Sequence, residues 1–376
     1  MRRRMRLGSI VLMLMLCMCG CYDRLDMEDA TFPLLTSLDL DENNKLKVYN
    51  VYPLFVKGAK KKSRELDAGG LSLRQNRERL DAYSPGAFQG RKIQVLLISK
   101  RVLQYEDWFP ILDVFFRDAR NPLTPRMVVY DGPLSEIVYS NPRDEPMLPI
   151  LLKGMVDTKS ARSETVSTTL QELHWQMYEK GITPSMAQVK VDKKKEITLD
   201  GAALLDRRGK FKTELDAQET VFLNVLQKNA PHAISLSFPI PGQGEADLPT
   251  NMVSLTVEKP KARIKVSYAD NRFQFNIQLK LAAGLSEIVF PFNLREEEKQ
   301  LEQMISEQAT RQLDSLIKKF QQYRIDPAGL GRYARAHEYQ AFKQVENDWG
   351  AALAKAKVQV DVKVDIKSTG PVRGVQ

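Results

Sequence analysis

Cysteine is scarce in this 376-residue sequence and is confined to its start. The three cysteines are Cys17, Cys19 and Cys21, so no disulfide can form within the rest of the chain. The body of the protein must therefore fold by burial of apolar side chains alone. A soft-metal site in the cysteine cluster is not favoured, because the first histidine of the chain is His174.

Long apolar runs are also missing, except near the N-terminus. The run from Leu7 to Cys19, broken only by Gly8 and Ser9, is shorter than the roughly 20 residues that a membrane-spanning helix needs. It follows four arginines, and this order of charge and hydrophobicity predicts a signal peptide over residues 1–20. Later segments fall short of about 18 consecutive apolar residues, so we expect the rest of the chain to lie outside the membrane.

Acidic residues are too few to balance the charge, which is +9 from 56 Lys+Arg and 47 Asp+Glu. Such an excess can indicate a nucleic-acid partner. Four of the nine surplus charges are the N-terminal arginines, and residues 1–20 contain no acid. The other 356 residues carry 52 basic and 47 acidic side chains, a balance of +5. No nucleic-acid partner is therefore expected.

Sequence motifs of common enzyme classes are absent as well. The chain has no HExxH, GxSxG, GxxxxGK[ST] or complete GxGxxG pattern, and Gly329-Leu330-Gly331 is only a fragment of the last. With no thiol after Cys21 and three scattered histidines, a nucleophile beside a base is not expected. Glu296–Glu298 is typical of a helix start, and Asp144–Glu145 of a solvated loop. The prediction is a non-enzymatic protein without catalytic residues, cofactor or metal.

The residues before Cys21 resemble the lipobox of bacterial lipoproteins. Cys19 and Gly20 are small, as that motif requires, although Met18 stands where leucine is usual. The resemblance implies cleavage between Gly20 and Cys21, and acylation of Cys21 as an N-palmitoyl, S-diacylglycerol cysteine. Two acyl chains anchor a protein stably, since each buried CH₂ contributes about 0.8 kcal/mol. A secretory signal cut elsewhere, or a cytoplasmic protein with a chance apolar start, stays open as an alternative.

Residues 21–190 are predicted to form an N-terminal domain of mixed α/β structure. Apolar runs bounded by turn-forming residues predict strands at Phe32–Leu40, Leu46–Val56, Ile93–Ser99 and Met127–Tyr130. Helical spacing predicts helices at Leu73–Tyr83, Trp108–Phe116 and Thr165–Lys180. Loops are predicted at 58–70 and 141–149. His174 borders an apolar stripe and is interpreted as a packing residue. Lys60–Lys62 could contact anionic lipid, but a solvated face is the favoured interpretation.

Residues 191–376 are predicted to form a C-terminal domain, with a further division near residue 250 left open. Alternation of apolar and polar residues predicts antiparallel strands at Val253–Val257, Ile264–Tyr268, Phe273–Leu281 and Val358–Ile366. A further strand is predicted at Gly201–Leu205 and a loop at 230–250. Helices are predicted at Asp216–Leu226 and Leu294–Tyr323, and from Asp326-Pro327 to Trp349. A sheet with long helices packed on one face makes the fold class α+β.

Several short motifs, taken in order, resemble the Ger(x)C family of spore germination lipoproteins. They are the lipobox with Cys21–Arg24, Gly201–Ala203 with Leu215-Asp216 and Glu219-Thr220, Asp326-Pro327 with Gly329–Arg332, Trp349, and the last strand with Ile366 and Gly370. The resemblance covers roughly residues 21–370. It implies the C subunit of a nutrient germinant receptor, anchored on the outer face of the spore inner membrane in endospore-forming bacteria.

The resemblance also implies partners and few functional residues. A membrane-embedded A subunit and a transporter-like B subunit would act with this protein to trigger germination when nutrients appear. Cys21 matches the acylated cysteine, whereas the motif Asp326–Arg332 carries no chemical role to transfer. A helix N-cap and a tight turn explain that motif without further function. A lipid-anchored solute-binding protein of a transporter is the alternative function, and a surface hydrolase is a third.

Overall fold

The computed structural model describes residues 26, 29–55, 58, 61–84, 86–140, 145–241 and 251–369. The predicted signal peptide, Cys21, Lys60, Asp144 and Gly370 lie outside the described residues, as do residues 242–250 of a predicted loop. Within the described ranges, no helix has both the length and the apolar character needed to cross a membrane.

A mixed eight-stranded sheet organises the first part of the chain. Its strands are β2 (Leu35–Leu40), β3 (Leu46–Pro53), β4 (Ser63–Gly69), β6 (Val95–Ser99), β7 (Arg126–Tyr130), β8 (Ser185–Val191), β9 (Ile197–Leu205) and β10 (Phe211–Leu215). They lie in the order β10-β9-β8-β7-β6-β2-β3-β4, with parallel pairing from β8 to β2 and antiparallel pairing outside it. β1 (Ala30–Thr31) and β5 (Ala87–Phe88) form a separate, short parallel pair.

Helices in this part are short and cover both faces of the sheet. They are α1 (Leu73–Asp81), α2 (Asp113–Arg117), α3 (Leu134–Val138), α4 (Leu148–Ala161) and α5 (Leu170–Tyr178). Successive residues of β6 enter two different apolar clusters: Leu96 and Ile98 one, Val95 and Leu97 the other. This explains why residues 93–99 form a continuous apolar run, since a strand buried on both faces has no polar side.

A second sheet and longer helices form the last part of the chain. The elements are α6 (Ala217–Leu226), β11 (Ile234–Pro239), β12 (Met252–Val257), β13 (Lys261–Ala269), β14 (Arg272–Ile288), α7 (Leu294–Tyr323), α8 (Leu330–His337), α9 (Tyr339–Val345), α10 (Trp349–Lys355) and β15 (Lys357–Ser368). β11, β12, β13 and β14 pair antiparallel, as predicted for the last three. The prediction of an antiparallel last strand is wrong: β15 pairs with β14 in parallel, because the helices between them return the chain to the end of the sheet where β14 begins. Along β14, alternate residues from Phe273 to Leu281 are buried. They pack in one apolar cluster with the inner stripe of α7.

The observed elements confirm much of the prediction and correct it in several places. The predicted loop at 58–70 contains β4, and the predicted loop at 230–250 contains β11. The helix predicted over Thr165–Lys180 begins only at Leu170, because Thr169 and Glu172 form a capping box there. The single helix predicted from Asp326-Pro327 to Trp349 is broken into α8 and α9, and α10 begins only at Trp349. Strand β8 and helix α4 were not predicted.

The predicted domain boundary at 190–191 falls at the end of β8, next to a turn into β9 of the same sheet. Strand β9 also serves both parts of the protein. Its Ala203 and Leu205 belong to a cluster of the first sheet, whereas Ala202 and Leu204 belong to the cluster of the second. The division of the chain into domains stays a prediction.

Candidate functional site

The Asp326 carboxylate is the centre of a buried hydrogen-bond network. It is fully buried and accepts hydrogen bonds from the backbone N–H groups of Leu330 (2.9 Å) and Gly331 (2.7 Å). The indole Nε1 of Trp349 donates a third bond at 2.7 Å. Trp349 opens α10 and Leu330 opens α8, so one carboxylate fixes two helix starts against each other.

Burial dominates the electrostatics of this carboxylate. Loss of solvation raises the pKa of Asp326 to about 6, although the donated bonds from Gly331, Leu330 and Trp349 act to lower it. A buried charge is tolerated only where donors surround it, and three are present here. Asp326 is thus adapted to hold neighbouring backbone in place.

Glycines allow two chain segments to touch beside this network. A Cβ atom added at Gly181 would lie 2.7 Å from the backbone nitrogen of Arg332, and one added at Gly331 would lie 2.7 Å from the Cα of Gly181. Gly329 has φ +74°, a left-handed conformation that side chains other than glycine rarely adopt. Close backbone approach, and not catalysis, therefore explains the glycines of the motif.

The same contacts join the two parts of the protein. The backbone N–H of Asp326 donates to Thr183 Oγ1 at 3.0 Å, and the N–H of Thr183 donates to the carbonyl of Asp326 at 2.9 Å. On the surface, Arg335 pairs with Glu179 at 2.7 Å, and Lys180 pairs with Glu346 at 2.5 Å. We call residues 179–183 with 326–349 the Asp326 junction.

The prediction of Asp326 as a helix N-cap followed by a first-turn proline is wrong in detail. Helix α8 begins at Leu330, its N-cap is Gly329, and Pro327 precedes both. The carboxylate of Asp326 still satisfies two N–H groups of the first turn, which is the physical task of a cap. Among the described residues, the network offers one acid, whose carboxylate is held by three donors.

Charged residues form a second cluster along β8, β9 and β10, beside the start of the loop after β6. Lys190 pairs with Asp200 at 2.9 Å and with Glu214 at 3.0 Å, while Lys100 pairs with Asp131 at 2.8 Å. Burial acts to raise the pKa of Glu214, but hydrogen bonds from Gln188 and Lys190 and the charge of Lys100 lower it to about 2. Each charge in this cluster has a partner, so it indicates stabilisation of the sheet edge.

The other residues singled out in the sequence lie apart from these clusters. His174 is half-buried and packs against Phe116 with ring centroids 4.4 Å apart, as predicted. Glu296 and Glu297 are exposed in the first turn of α7, as expected for a helix start. Lys61 forms an ion pair with Glu65. In the part of the chain that the structure describes, no group of three His, Cys, Asp or Glu side chains could hold a metal ion.

Comparisons with known proteins cover both halves of the chain. The family model described as "Spore germination protein N-terminal domain" matches residues 23–191. The model described as "Spore germination B3/ GerAC like, C-terminal" matches residues 200–370. Spore germination protein B3 of Bacillus subtilis (strain 168) is 20% identical over 97% of this chain and 98% of its own length. Spore germination protein GerQC of Bacillus cereus is 19% identical, over 97% and 99%.

A solved structure has the same fold. The crystal structure of the GerBC protein matches with a TM-score of 0.57 and 16% identity, over 89% of this chain and 97% of that one. The chain therefore has a two-part α+β fold of the GerBC type, which confirms the predicted α+β fold class. By the two family models, the chain belongs to the GerAC-like, or Ger(x)C, family of spore germination proteins. Its membership supports a role in spore germination.

Proposed function

We propose that this protein is a non-enzymatic lipoprotein subunit of a nutrient germinant receptor, required for nutrient-triggered spore germination. The observation that carries the proposal is the match of both halves of the chain to spore germination families. Acylated Cys21 would hold the protein at the outer face of the spore inner membrane. The A and B subunits of the receptor would be its partners there.

The start of the described chain supports an orientation towards the membrane. Residues 22–29 separate Cys21 from β1, a distance of at most roughly 30 Å when extended. Phe88, which lies opposite Thr31 in the pairing of β5 with β1, packs on Tyr52 with ring centroids 5.7 Å apart. Three residues beyond Tyr52, Phe55 is 91% exposed. An exposed aromatic ring in this part of the chain is suited to contact with a bilayer.

The Asp326 junction supports a non-enzymatic role. Its motif is the one that the family resemblance singles out, and its residues hold backbone segments together without a reactive pair. A rigid connection between two parts of a chain is what an assembly subunit needs, because partner contacts on both parts must keep a fixed geometry.

Replacement of the anchoring cysteine tests the proposal. We expect Cys21→Ala to shift the protein from the membrane fraction to the soluble fraction and to slow nutrient-triggered germination. Cys17→Ala is the matched control, since Cys17 lies outside the lipobox, and it should behave as the wild type. Retention of the Cys21→Ala protein in the membrane with a normal germination rate would contradict the proposal.

Capture of the receptor partners tests the assembly directly. After cross-linking in intact spores, the wild-type protein should co-purify with a multi-span A subunit and a transporter-like B subunit. Recovery of this protein alone, at normal abundance and in the membrane fraction, would leave the anchor intact and refute the receptor assignment.

A further inference from the structure

A small cavity lies between α1 and the neighbouring strands of the first sheet. Helix α1 buries one face, formed by Leu73, Asn76 and Leu80, and all three residues line the cavity. Thr36 of β2 and Asn50 of β3 line its floor. The cavity has a volume of about 80 Å³. The sequence pattern of α1 gave no sign of it, because an asparagine at helical spacing is normally solvated.

Asn76 is the unexplained residue of this cavity. Its exposure is 0%, and neither its Nδ2 nor its Oδ1 has a hydrogen-bond partner among the described residues. Buried amides are almost always hydrogen-bonded, because each unsatisfied group carries the full cost of its desolvation. Elsewhere in the lining, Thr36 Oγ1 donates to Asn50 Oδ1 at 2.7 Å, and Asn121 Nδ2 donates to the carbonyl of Val114 at 3.2 Å. Asn76 thus brings an unpaired Nδ2 amino group and an unpaired Oδ1 to the wall of the cavity, with Oδ1 on the side of Gly70.

The charge distribution limits what can bind beside Asn76. The uncharged polar residues of the lining are Thr36, Asn50 and Asn121. Its charged residues are Arg74, which is exposed, Arg77, which is half-buried, and Asp118, which is paired with Arg120 at 2.8 Å. The charge of Arg77 also helps to lower the pKa of Asp118. Because Arg77 and Asp118 offset each other's charge, we expect the ligand end beside Asn76 to be neutral.

The volume of the cavity and the residues that line it limit the ligand further. One buried water needs about 10–15 Å³, so the cavity accepts a molecule of about five non-hydrogen atoms. Each buried water also needs two to four polar partners. The walls are largely apolar, with Val48, Leu80, Phe88, Ile93 and Phe115. A filling of water alone would therefore leave most of the molecules without partners, whereas an aliphatic body would pack against these walls.

We propose that this cavity binds a small primary carboxamide, or the carboxamide end of a slender molecule. The ligand carbonyl would accept from Asn76 Nδ2, and its amide nitrogen would donate to Asn76 Oδ1, as a cyclic pair of hydrogen bonds. The short alkyl part would fill the apolar side of the cavity. This site is independent of the proposed function, since it requires neither the anchor nor the receptor partners.

Thermal unfolding of the full-length lipoprotein in detergent tests the site, with propionamide as the probe. We expect a saturable rise in Tm with propionamide. The matched control compound is 2-butanone, in which a methyl group replaces the amide nitrogen and the donor is lost. Its effect at equal concentration should be several-fold smaller. Arg74→Gln should leave the propionamide response unchanged, because the ligand is neutral.

The variant Asn76→Leu gives two readouts with opposite signs. It should raise the Tm of the unliganded protein, because it replaces an unsatisfied buried amide by an isosteric apolar group. It should also abolish the saturable response to propionamide. Equal responses of the wild type to propionamide and 2-butanone would overturn the proposal, and this test needs no variant. A crystal structure with propionamide that shows only ordered water beside Asn76 would overturn it too.

Discussion

The first sheet is covered by helices on both faces, whereas the second sheet leaves alternate residues of its strands exposed. In β6 all five residues are buried, and in β14 burial alternates along most of the strand. Alternation fixes strand register by itself, because a slip of one residue would bury polar side chains. A continuous apolar run carries no such information. In the second part, the alternation within each strand thus determines which face is buried. In the first part, the strands are fixed by the packing of many short elements around them.

The two parts also treat buried polar groups differently. Asp326 in the second part has three donors around its carboxylate. In the first part, Asn76 has no partner among the described residues. We therefore expect the Asp326 junction to be a stable centre and the region around α1 to open more easily.

Loss of the Asp326 carboxylate is expected to have the largest effect. Asp326→Ala leaves three buried donors unsatisfied, at about 1–3 kcal/mol each. Relief from burying an ionised group offsets part of this, so we expect a net destabilisation of about 3–5 kcal/mol. Denaturant unfolding measures it, and hydrogen exchange should show α8 and α10 opening before the first sheet.

The nearby Asp348→Ala is the control for this prediction. Asp348 is exposed and its side chain makes no capping bond to α10. Its replacement should change stability by less than about 0.5 kcal/mol. Equal effects of the two substitutions would show that the Asp326 junction does not distinguish the second part from the first.

The pH dependence should have opposite signs in the two parts. The pKa of Asp326 is about 6 in the folded protein and near 4 in the unfolded chain. Protonation of Asp326 therefore stabilises the fold fully below pH 4, and this contribution is lost as the pH rises through 6. By linkage the contribution is on the order of 3 kcal/mol. The lowered pKa of Glu214, about 2, gives stability above its unfolded value that is lost as the pH falls towards 2.

Stability measured from pH 7 to pH 2 tests these signs. The wild type should gain stability between pH 7 and 5 through Asp326 and lose stability below about pH 4.5 through Glu214. Asp326→Asn should abolish the gain and leave the loss. Glu214→Gln should do the reverse. A gain that survives in Asp326→Asn would assign the upper transition to another group.

The two parts of the protein also differ in how much of their structure could be predicted from the sequence. The bounds of α7 were predicted as observed, because its apolar stripe repeats over 30 residues. Strands β2 and β3 were predicted from two apolar runs and the turn-forming residues between them. Strand β8 was missed because it is buried on both faces, which removes its alternation. Helix α4 was missed although Leu148, Leu152 and Val156 repeat every four residues, because the segment where it begins was interpreted as a loop. At the site, the Asp326–Arg332 motif was visible in the sequence. Its contact with Gly181 was not, because the two segments are far apart in the chain.

Close backbone contact at Gly181 predicts a moderate effect. Gly181→Ala places a Cβ 2.7 Å from the nitrogen of Arg332, a contact that the two parts can relieve only by moving apart. We expect a destabilisation of about 1–3 kcal/mol, as in other overpacked sites. Hydrogen exchange should increase on both sides of the contact. An increase confined to the first part would mean that the Asp326 junction does not couple the two parts.

The smallest effect should be a gain of stability in the first part. Gly154 lies in the interior of α4, is exposed, and has no atom within 4 Å of an added Cβ. Gly154→Ala should therefore stabilise the protein by about 0.5–1 kcal/mol, because alanine loses less backbone freedom on folding. Hydrogen exchange should slow in α4 and the strands that it covers and stay unchanged in β11–β15. Slower exchange in both parts would show that they unfold as one unit, and that the contrast between them is one of pattern and not of stability.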